Sequence, residues 1–95
     1  MGDVQLHLND SGHGAFVITD KDELLAEMEV GLEDQTLTVY HTEVSDKLKG
    51  QGVGSLLFNE MVNYARKHQL QVDPMCSFVH ARLKKNRDEY QDIWS

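Results

Sequence analysis

The spacing of hydrophobic residues divides the chain into two parts with different periods. Up to about residue 44, apolar and polar residues alternate, as in half-buried strands, in the segments VQLHL, AFVITD, ELLAEMEVGLED and TLTVYHTEV. The third segment is also rich in good helix formers, but the alternation of Leu24, Ala26, Met28 and Val30 favours a strand. Turn-forming residues separate these segments, as in NDSGHG and EDQ. We therefore predict an antiparallel meander of four strands.

Beyond the glycines at 50–54 the period becomes helical. Apolar residues and one histidine recur at helical spacing at Val53, Leu56, Leu57, Met61, Tyr64, Ala65 and His68. They predict a helix from about Gly52 to about His68, with a basic last turn that suits the negative end of the helix dipole. The segment FVHARLKKN predicts a short second helix, and NRDEYQDIWS predicts an exposed, partly helical tail.

The segment LQVDPMCSF is ambiguous. It is either a short buried strand or a helix start, with Asp73 as the N-cap and Pro74 in the first helical position. With either alternative, the elements predict an α/β (α+β) fold in one domain, residues 1–95.

Composition and charge restrict the class of protein. The chain has 95 residues, of which 40% are hydrophobic and 26% charged, and these values are typical of a globular domain. No apolar run approaches the roughly 20 residues that span a bilayer, the N-terminal segment is acidic, and Cys76 has no second cysteine to pair with. We therefore predict a cytoplasmic protein that does not associate with a membrane.

The net charge of −7 is unevenly distributed. Residues 1–46 contain eleven Asp/Glu and one Lys, whereas residues 47–95 contain eight Lys/Arg and five Asp/Glu. A nucleic-acid-binding protein usually has a broad basic face, which this pattern does not predict. A local positive field in the second half favours a small anionic ligand, although charges that merely solvate the surface are the alternative.

The segment KLKGQGVG, residues 47–54, joins the predicted fourth strand to the long helix through a loop at 45–51. The first amides of a helix lack internal partners, and glycine lets an anion approach them closely. Lys47 and Lys49 add positive charge, so the segment predicts a site for a phosphate or pyrophosphate. The spacing fits neither the P-loop nor the dinucleotide fingerprint. A glycine-rich turn without a ligand is the alternative interpretation.

The segment HTEVSDKLKGQGVGSLLFNEMVNYARKHQL resembles the acetyl-CoA-binding core of the GCN5-related N-acetyltransferases, or GNATs. Their pattern is Gln/Arg-x-x-Gly-x-Gly/Ala, and Lys47 to Gly52 match it except for Lys at the first position. Nearly end to end, the chain also resembles very short single-domain GNAT-like proteins, which have a His-Thr strand and a cysteine where this chain has His41, Thr42 and Cys76. The resemblance implies a strand at 70–76. The implied fold is a minimal GNAT-like one, with a largely antiparallel sheet of four strands, a fifth splayed strand, one long CoA-binding helix and a short C-terminal helix.

The resemblance also implies how acetyl-CoA binds. The pyrophosphate would lie on the amides of about 48–54, and the pantetheine arm would pair with the strand at 41–44. The implied cofactor-binding residues are His41, Thr42, Glu43, Val44, Lys47, Leu48, Lys49, Gly50, Gln51, Gly52, Val53, Gly54, Cys76, Asn86 and Tyr90. For Asn86 and Tyr90 an exposed position in the tail is the alternative interpretation.

The candidate catalytic residues are His41, Glu43 and Cys76, toward which the thioester would point. Glu43 or His41 could act as the base that deprotonates an amine, and a Cys76 thiolate could carry the acetyl group. The alternatives are surface residues for the first two and a small buried hydrophobe for Cys76. The remaining histidines show no metal-ligand spacing, so we predict no metal.

The chain is shorter than a typical GNAT, which has further helices and strands around the acceptor site. The missing walls leave two options, a partner subunit such as a second copy in a homodimer, or a site open to a protein substrate. The expected function is acetyl transfer from acetyl-CoA to an amine of an unknown acceptor. The alternatives are a non-catalytic CoA-binding or regulatory module and a plain interaction domain.

Overall fold

The computed structural model describes residues 3–95, so the first two residues of the predicted domain lie outside it. The described residues form one five-stranded sheet in the order β1-β2-β3-β4-β5. Its strands are β1 Gln5–Leu8, β2 His13–Asp20, β3 Glu23–Glu33, β4 Thr36–Val44 and β5 Gln71–Pro74. The helices are α1 Val53–Lys67 and α2 Ser77–Lys85, with short 3-10 turns at Asp46–Leu48 and Arg87–Tyr90.

The sheet confirms the predicted meander. Strands β1 to β4 pair antiparallel in chain order, and β5 pairs parallel with β4 after the crossover through α1. The ambiguous segment at 70–76 therefore contains a strand, at Gln71–Pro74, as the resemblance implied. Pro74 ends this edge strand, a place where its missing N–H costs no ladder bond.

The strand prediction for β3 is correct, but the assignment of one residue, Leu24, to its buried face is wrong. Ile18 of β2 pairs with Ala26, whereas Thr19 pairs with Leu24, so Leu25 is an extra residue at a β-bulge. The bulge reverses the alternation at this point. Leu25 is consequently only 6% exposed, whereas Leu24, which the period placed on the buried face, is 51% exposed.

A second bulge lies in β4. Glu29 pairs with His41 and Val30 pairs with Val39, so Tyr40 is the extra residue. Thr42 lies opposite Met28 on the buried side of the sheet, and His41 lies on the other face. The bulge therefore determines which β4 side chains face the core.

The core lies between the sheet and the two helices. Helix α1 buries Val53, Leu57, Phe58, Met61, Val62 and Ala65. These side chains join one cluster with sheet residues that include Phe16, Ile18, Met28, Val30, Leu37 and Val39. None of the helices in the described part of the chain is long and apolar enough to cross a membrane.

The C-terminal segment is not the exposed tail that its polarity predicted. Tyr90 is buried and Ile93 is 1% exposed. The carbonyl of Ile93 accepts a hydrogen bond of 2.7 Å from the amide of Val72 in β5. Three apolar residues among ten mostly polar ones, Tyr90, Ile93 and Trp94, thus anchor this segment against the core.

Candidate functional site

The loop between β4 and α1 places two glycines in the left-handed region. The hydroxyl of Ser45 accepts a hydrogen bond from the Lys47 amide and begins the 3-10 turn. Gly50 then has φ +82° and Gly52, the N-cap of α1, has φ +72°. A Cβ at either position would meet nothing within 4 Å. The backbone angle, and not lack of space, therefore favours glycine here.

Four amides at this turn are free to bind a ligand. Among residues 3–95, no acceptor takes the N–H groups of Gly50, Gly52, Val53 and Gly54. The neighbouring amide of Gln51 does have a partner, the carbonyl of Leu48 at 3.2 Å. Free amides at the positive end of a helix dipole are complementary to an anion.

These amides border an open groove of about 260 Å³, which we call the glycine groove. It is lined by Val44, Leu48, Lys49, Gly50, Gly52, Val53, Gly54, Ser55, Phe78 and Arg82. Most of these residues are among the sequence-predicted site residues, but Ser55, Phe78 and Arg82 are not. The last two come from α2, and only the basic last turn of that helix hinted at a contribution.

Helix α2 approaches the groove because Gly54 has no side chain. A Cβ on Gly54 would lie 3.0 Å from the Cζ atom of Phe78. Gly54 thus allows close packing of α1 against α2. Arg82, one turn further along α2, donates a hydrogen bond of 2.6 Å to the hydroxyl of Ser55.

The two lysines that flank the loop are paired with carboxylates. Lys47 Nζ lies 2.9 Å from a Glu23 oxygen, and Lys49 Nζ lies 2.8 Å from an Asp46 oxygen. Both pairs are exposed to solvent, where an ion pair is worth only about 0–1 kcal/mol. They reduce the positive field at the groove without preventing either lysine from reaching another anion.

Strands β4 and β5 separate next to the groove. Their pairing ends at Val39 and Pro74, after which the amide of Cys76 still donates to the carbonyl of Val39 at 2.9 Å. Within the described chain, no strand pairs with this side of β4 at 40–44. Unpaired backbone groups inside a protein need another partner, so this open edge of β4 is a second place for a ligand.

Cys76 lies where the strands separate. It is buried at the N-cap position of α2, and its Sγ is 3.4 Å from the Thr42 hydroxyl. The structure therefore brings together two of the sequence-predicted site residues that are 34 positions apart.

His41 and Glu43 lie on the opposite face of β4 from Thr42. The His41 Nε2 atom is 3.2 Å from a Glu43 oxygen, and their side chains are 60% and 68% exposed. Across the strand pair, Glu29 faces His41 and Glu27 faces Glu43. This face thus carries two acid–base groups in contact with solvent, next to two further carboxylates.

Asn86 and Tyr90 lie at the end of α2 and beyond it. Asn86 is exposed, and the Tyr90 ring packs edge-on against Phe58 at 5.5 Å between centroids. Burial raises the pKa of Tyr90, Glu89 adds to this effect, and Arg66 and Arg82 oppose it. The Tyr90 hydroxyl therefore stays protonated at neutral pH. No group of three or more His, Cys, Asp or Glu side chains within residues 3–95 could hold a metal ion.

Comparisons with known proteins agree with this architecture. A family model described as GCN5-related N-acetyl-transferase matches residues 15–93. The chain is similar to the solution structure of a GCN5-like candidate N-acetyltransferase from Staphylococcus aureus, with a TM-score of 0.71 and 33% identity over 100% of this chain and 91% of that one. No curated protein sequence matches the chain.

Two longer structures share the fold at lower identity. One is the ribosomal-protein-S18-alanine N-acetyltransferase from Escherichia coli, with a TM-score of 0.60 and 15% identity over 67% of this chain and 42% of that one. The other is a candidate acetyltransferase of the GNAT family from Desulfovibrio desulfuricans, with a TM-score of 0.56 and 20% identity over 64% of this chain and 41% of that one.

Proposed function

The chain belongs to the GCN5-related N-acetyltransferase family, and from this premise we propose that the glycine groove and the open edge of β4 bind acetyl-CoA for acetyl transfer to an amine. One observation carries the proposal. Four amides without an acceptor among the described residues lie beside a strand edge without a partner, and a ligand with both a pyrophosphate and an amide-containing arm is complementary to both.

In this proposal the backbone does most of the binding. The amides of Gly50, Gly52, Val53 and Gly54 would hold the pyrophosphate, and the β4 backbone at 41–44 would pair with the pantetheine arm. Lys47, Lys49 and the rest of the 47–54 segment would line the phosphate end. Asn86 and Tyr90 remain further predicted contacts beyond α2.

Acetyl transfer needs a base and an open path by which the amine can reach the thioester. Direct transfer forms a C–N bond and breaks the thioester C–S bond, with CoA leaving as the thiolate and the amine losing a proton. His41 and Glu43 are exposed on the face of the sheet opposite to Thr42 and Cys76. Either residue could therefore take that proton, directly or through a water. Protonated amines would also be attracted by Glu27 and Glu29 on that face.

Cys76 offers a second route for the same reaction. Its sulfur lies at the separation of β4 and β5, 3.4 Å from the Thr42 hydroxyl. A Cys76 thiolate would attack the thioester, release CoA and pass the acetyl group to the amine in a second step. This route predicts an acetylated enzyme, whereas direct transfer does not.

Calorimetry with CoA tests the binding site. We expect heat of binding from the wild-type protein and its loss in Gly52→Trp, because the indole would cover the amides of the turn. The absence of heat at millimolar CoA, or unchanged binding by Gly52→Trp, would contradict the proposed site.

Mass spectrometry and turnover test the chemistry. Intact mass after incubation with acetyl-CoA reports an acetyl adduct on Cys76, self-acetylation at a lysine, or no change. Acetyl-CoA turnover against a panel of amines separates an enzyme from a non-catalytic CoA-binding module, which would bind without turnover. Turnover that survives in Cys76→Ala excludes the cysteine route, and sizing of the active species shows whether a second copy completes the acceptor site.

A further inference from the structure

Three cations lie at or beside the glycine groove, and they differ in their partners. Lys47 and Lys49 pair with Glu23 and Asp46. Arg82 has no carboxylate within 4 Å among residues 3–95. The cation that sequence reasoning missed is therefore the one whose charge is left without a counter-ion in the described chain.

The Arg82 side chain is held in position from several sides. Its terminal nitrogen donates to the Ser55 hydroxyl at 2.6 Å, in the first turn of α1. Its guanidinium carbon lies 5.0 Å from the ring centroid of Phe78 and 5.7 Å from that of Phe58. A guanidinium has five N–H donors in a rigid plane. One bond to Ser55 leaves most of them available.

This position depends on contacts that bring α2 against α1. Phe78 lies against Gly54, and any larger residue at 54 would displace the ring on which Arg82 rests. The free amides of Gly52 and Val53 and the Arg82 guanidinium consequently border the same groove. Free amides at a helix N-terminus and a planar guanidinium around one groove are complementary to a phosphate.

We propose that Arg82 binds a phosphate group of the CoA ligand and is the main side-chain anchor for that ligand's charged end. The inference rests on the proposed function, since it assumes that CoA occupies the glycine groove. CoA carries two kinds of phosphate, the pyrophosphate and the 3′-phosphate of its ribose. The chemistry that Arg82 recognises is common to both, and the experiment distinguishes them.

The experiment compares charge-matched variants by calorimetry. Arg82→Gln removes the guanidinium, and Lys85→Gln removes one positive charge from an exposed position on the same helix, outside the groove. Arg82→Lys keeps the charge but loses the planar donors. Each protein is titrated with CoA and with 3′-dephospho-CoA, and its thermal unfolding is recorded.

We expect Arg82→Gln to weaken CoA binding about tenfold or more, the usual effect of losing a charge-assisted hydrogen bond. Lys85→Gln should stay within about twofold of wild type, because only the long-range field changes. Arg82→Lys should bind CoA more tightly than Arg82→Gln. An equal loss with 3′-dephospho-CoA assigns the contact to the pyrophosphate, and a loss confined to CoA assigns it to the 3′-phosphate.

Three results would overturn the inference while leaving the proposed function intact. They are CoA binding by Arg82→Gln within about twofold of wild type, an equal loss in Lys85→Gln, and no advantage of Arg82→Lys over Arg82→Gln. If Arg82→Gln unfolds at a lower temperature than wild type, the CoA affinity of Arg82→Lys is compared with that of wild type to test the inference. Arg82→Lys is suitable because it keeps the aliphatic stem and the charge. Failure of the wild-type protein to bind CoA at all would instead refute the proposed function and this inference with it.

Discussion

Gly52 is a residue at which the backbone angle, and not lack of space, disfavours a side chain. Its φ of +72° costs an L-residue about 1–2 kcal/mol, and no atom lies within 4 Å of the added Cβ. We therefore expect Gly52→Ala to lower the free energy of unfolding by about 1 kcal/mol in urea titrations. Asn59→Ala, at an exposed position of α1, is the control, and equal stabilities of the two variants would contradict the argument.

Tyr90 makes the free energy of unfolding depend on pH in the alkaline range. Burial raises the pKa of its hydroxyl in the folded protein, so the unfolded chain loses this proton at lower pH than the folded one. The associated stability is complete below the ordinary tyrosine pKa of about 10 and is lost as pH rises through the folded value. Tyr90→Phe should therefore lose less stability than wild type between pH 8 and pH 11.

Urea unfolding at several pH values measures this difference. Tyr40→Phe is the matched control, since Tyr40 is exposed. Tyr90→Phe keeps the ring that packs on Phe58, so its stability at pH 7 should change little. Parallel pH profiles for wild type and Tyr90→Phe would contradict the assignment.

Single residues were predictable where their role is local. Gly50 and Gly52 were identified from the motif before the helix start, and in the structure both have a positive φ. The position of Arg82 at the groove was not predictable, because it depends on α2 packing against Gly54 through Phe78, 24 positions along the chain. Nothing in the sequence around Arg82 distinguishes it from the other basic residues of α2.

At the scale of elements, the period of hydrophobic residues was sufficient for strands β1 to β4 and for α1. The fifth strand needed the resemblance, since Asp73 and Pro74 read equally well as a helix start. Neither the period of hydrophobic residues nor the resemblance predicted the bulge at Leu25. Leu24 and Leu25 are identical neighbours, so only the pairing with β2 decides which of them faces the core.

The bulge makes a sharp prediction about these two leucines. Leu25→Ala removes a buried side chain and should cost about 2–4 kcal/mol of unfolding free energy. Leu24→Ala removes a side chain that is half exposed and should cost less than about 1 kcal/mol. Urea denaturation of the pair provides its own control. A larger cost at Leu24 would restore the register that the simple alternation predicted.

At the scale of the whole molecule, the helices and the C-terminal segment pack against one face of the sheet, and the other face is exposed to solvent. A domain of 95 residues buries a smaller share of its surface than a larger one, so each buried side chain carries more of the stability. The charge asymmetry of the sequence survives in the fold. Acidic residues of β3 and β4 lie on the exposed face of the sheet, and Arg82 of α2 lies at the glycine groove.

The C-terminal segment is where whole-molecule packing overrides local polarity. Ile93 is 1% exposed, and its carbonyl accepts a hydrogen bond from the Val72 amide of the edge strand β5. If this segment is part of the core, Ile93→Ala should cost about 2–5 kcal/mol, a large fraction of the total for a small domain. Gln91→Ala, in the same segment but exposed, should cost less than about 0.5 kcal/mol. Because β5 borders the site where it separates from β4, Ile93→Ala should also weaken CoA binding, and equal behaviour of the two variants would return the segment to the exposed tail that its composition predicts.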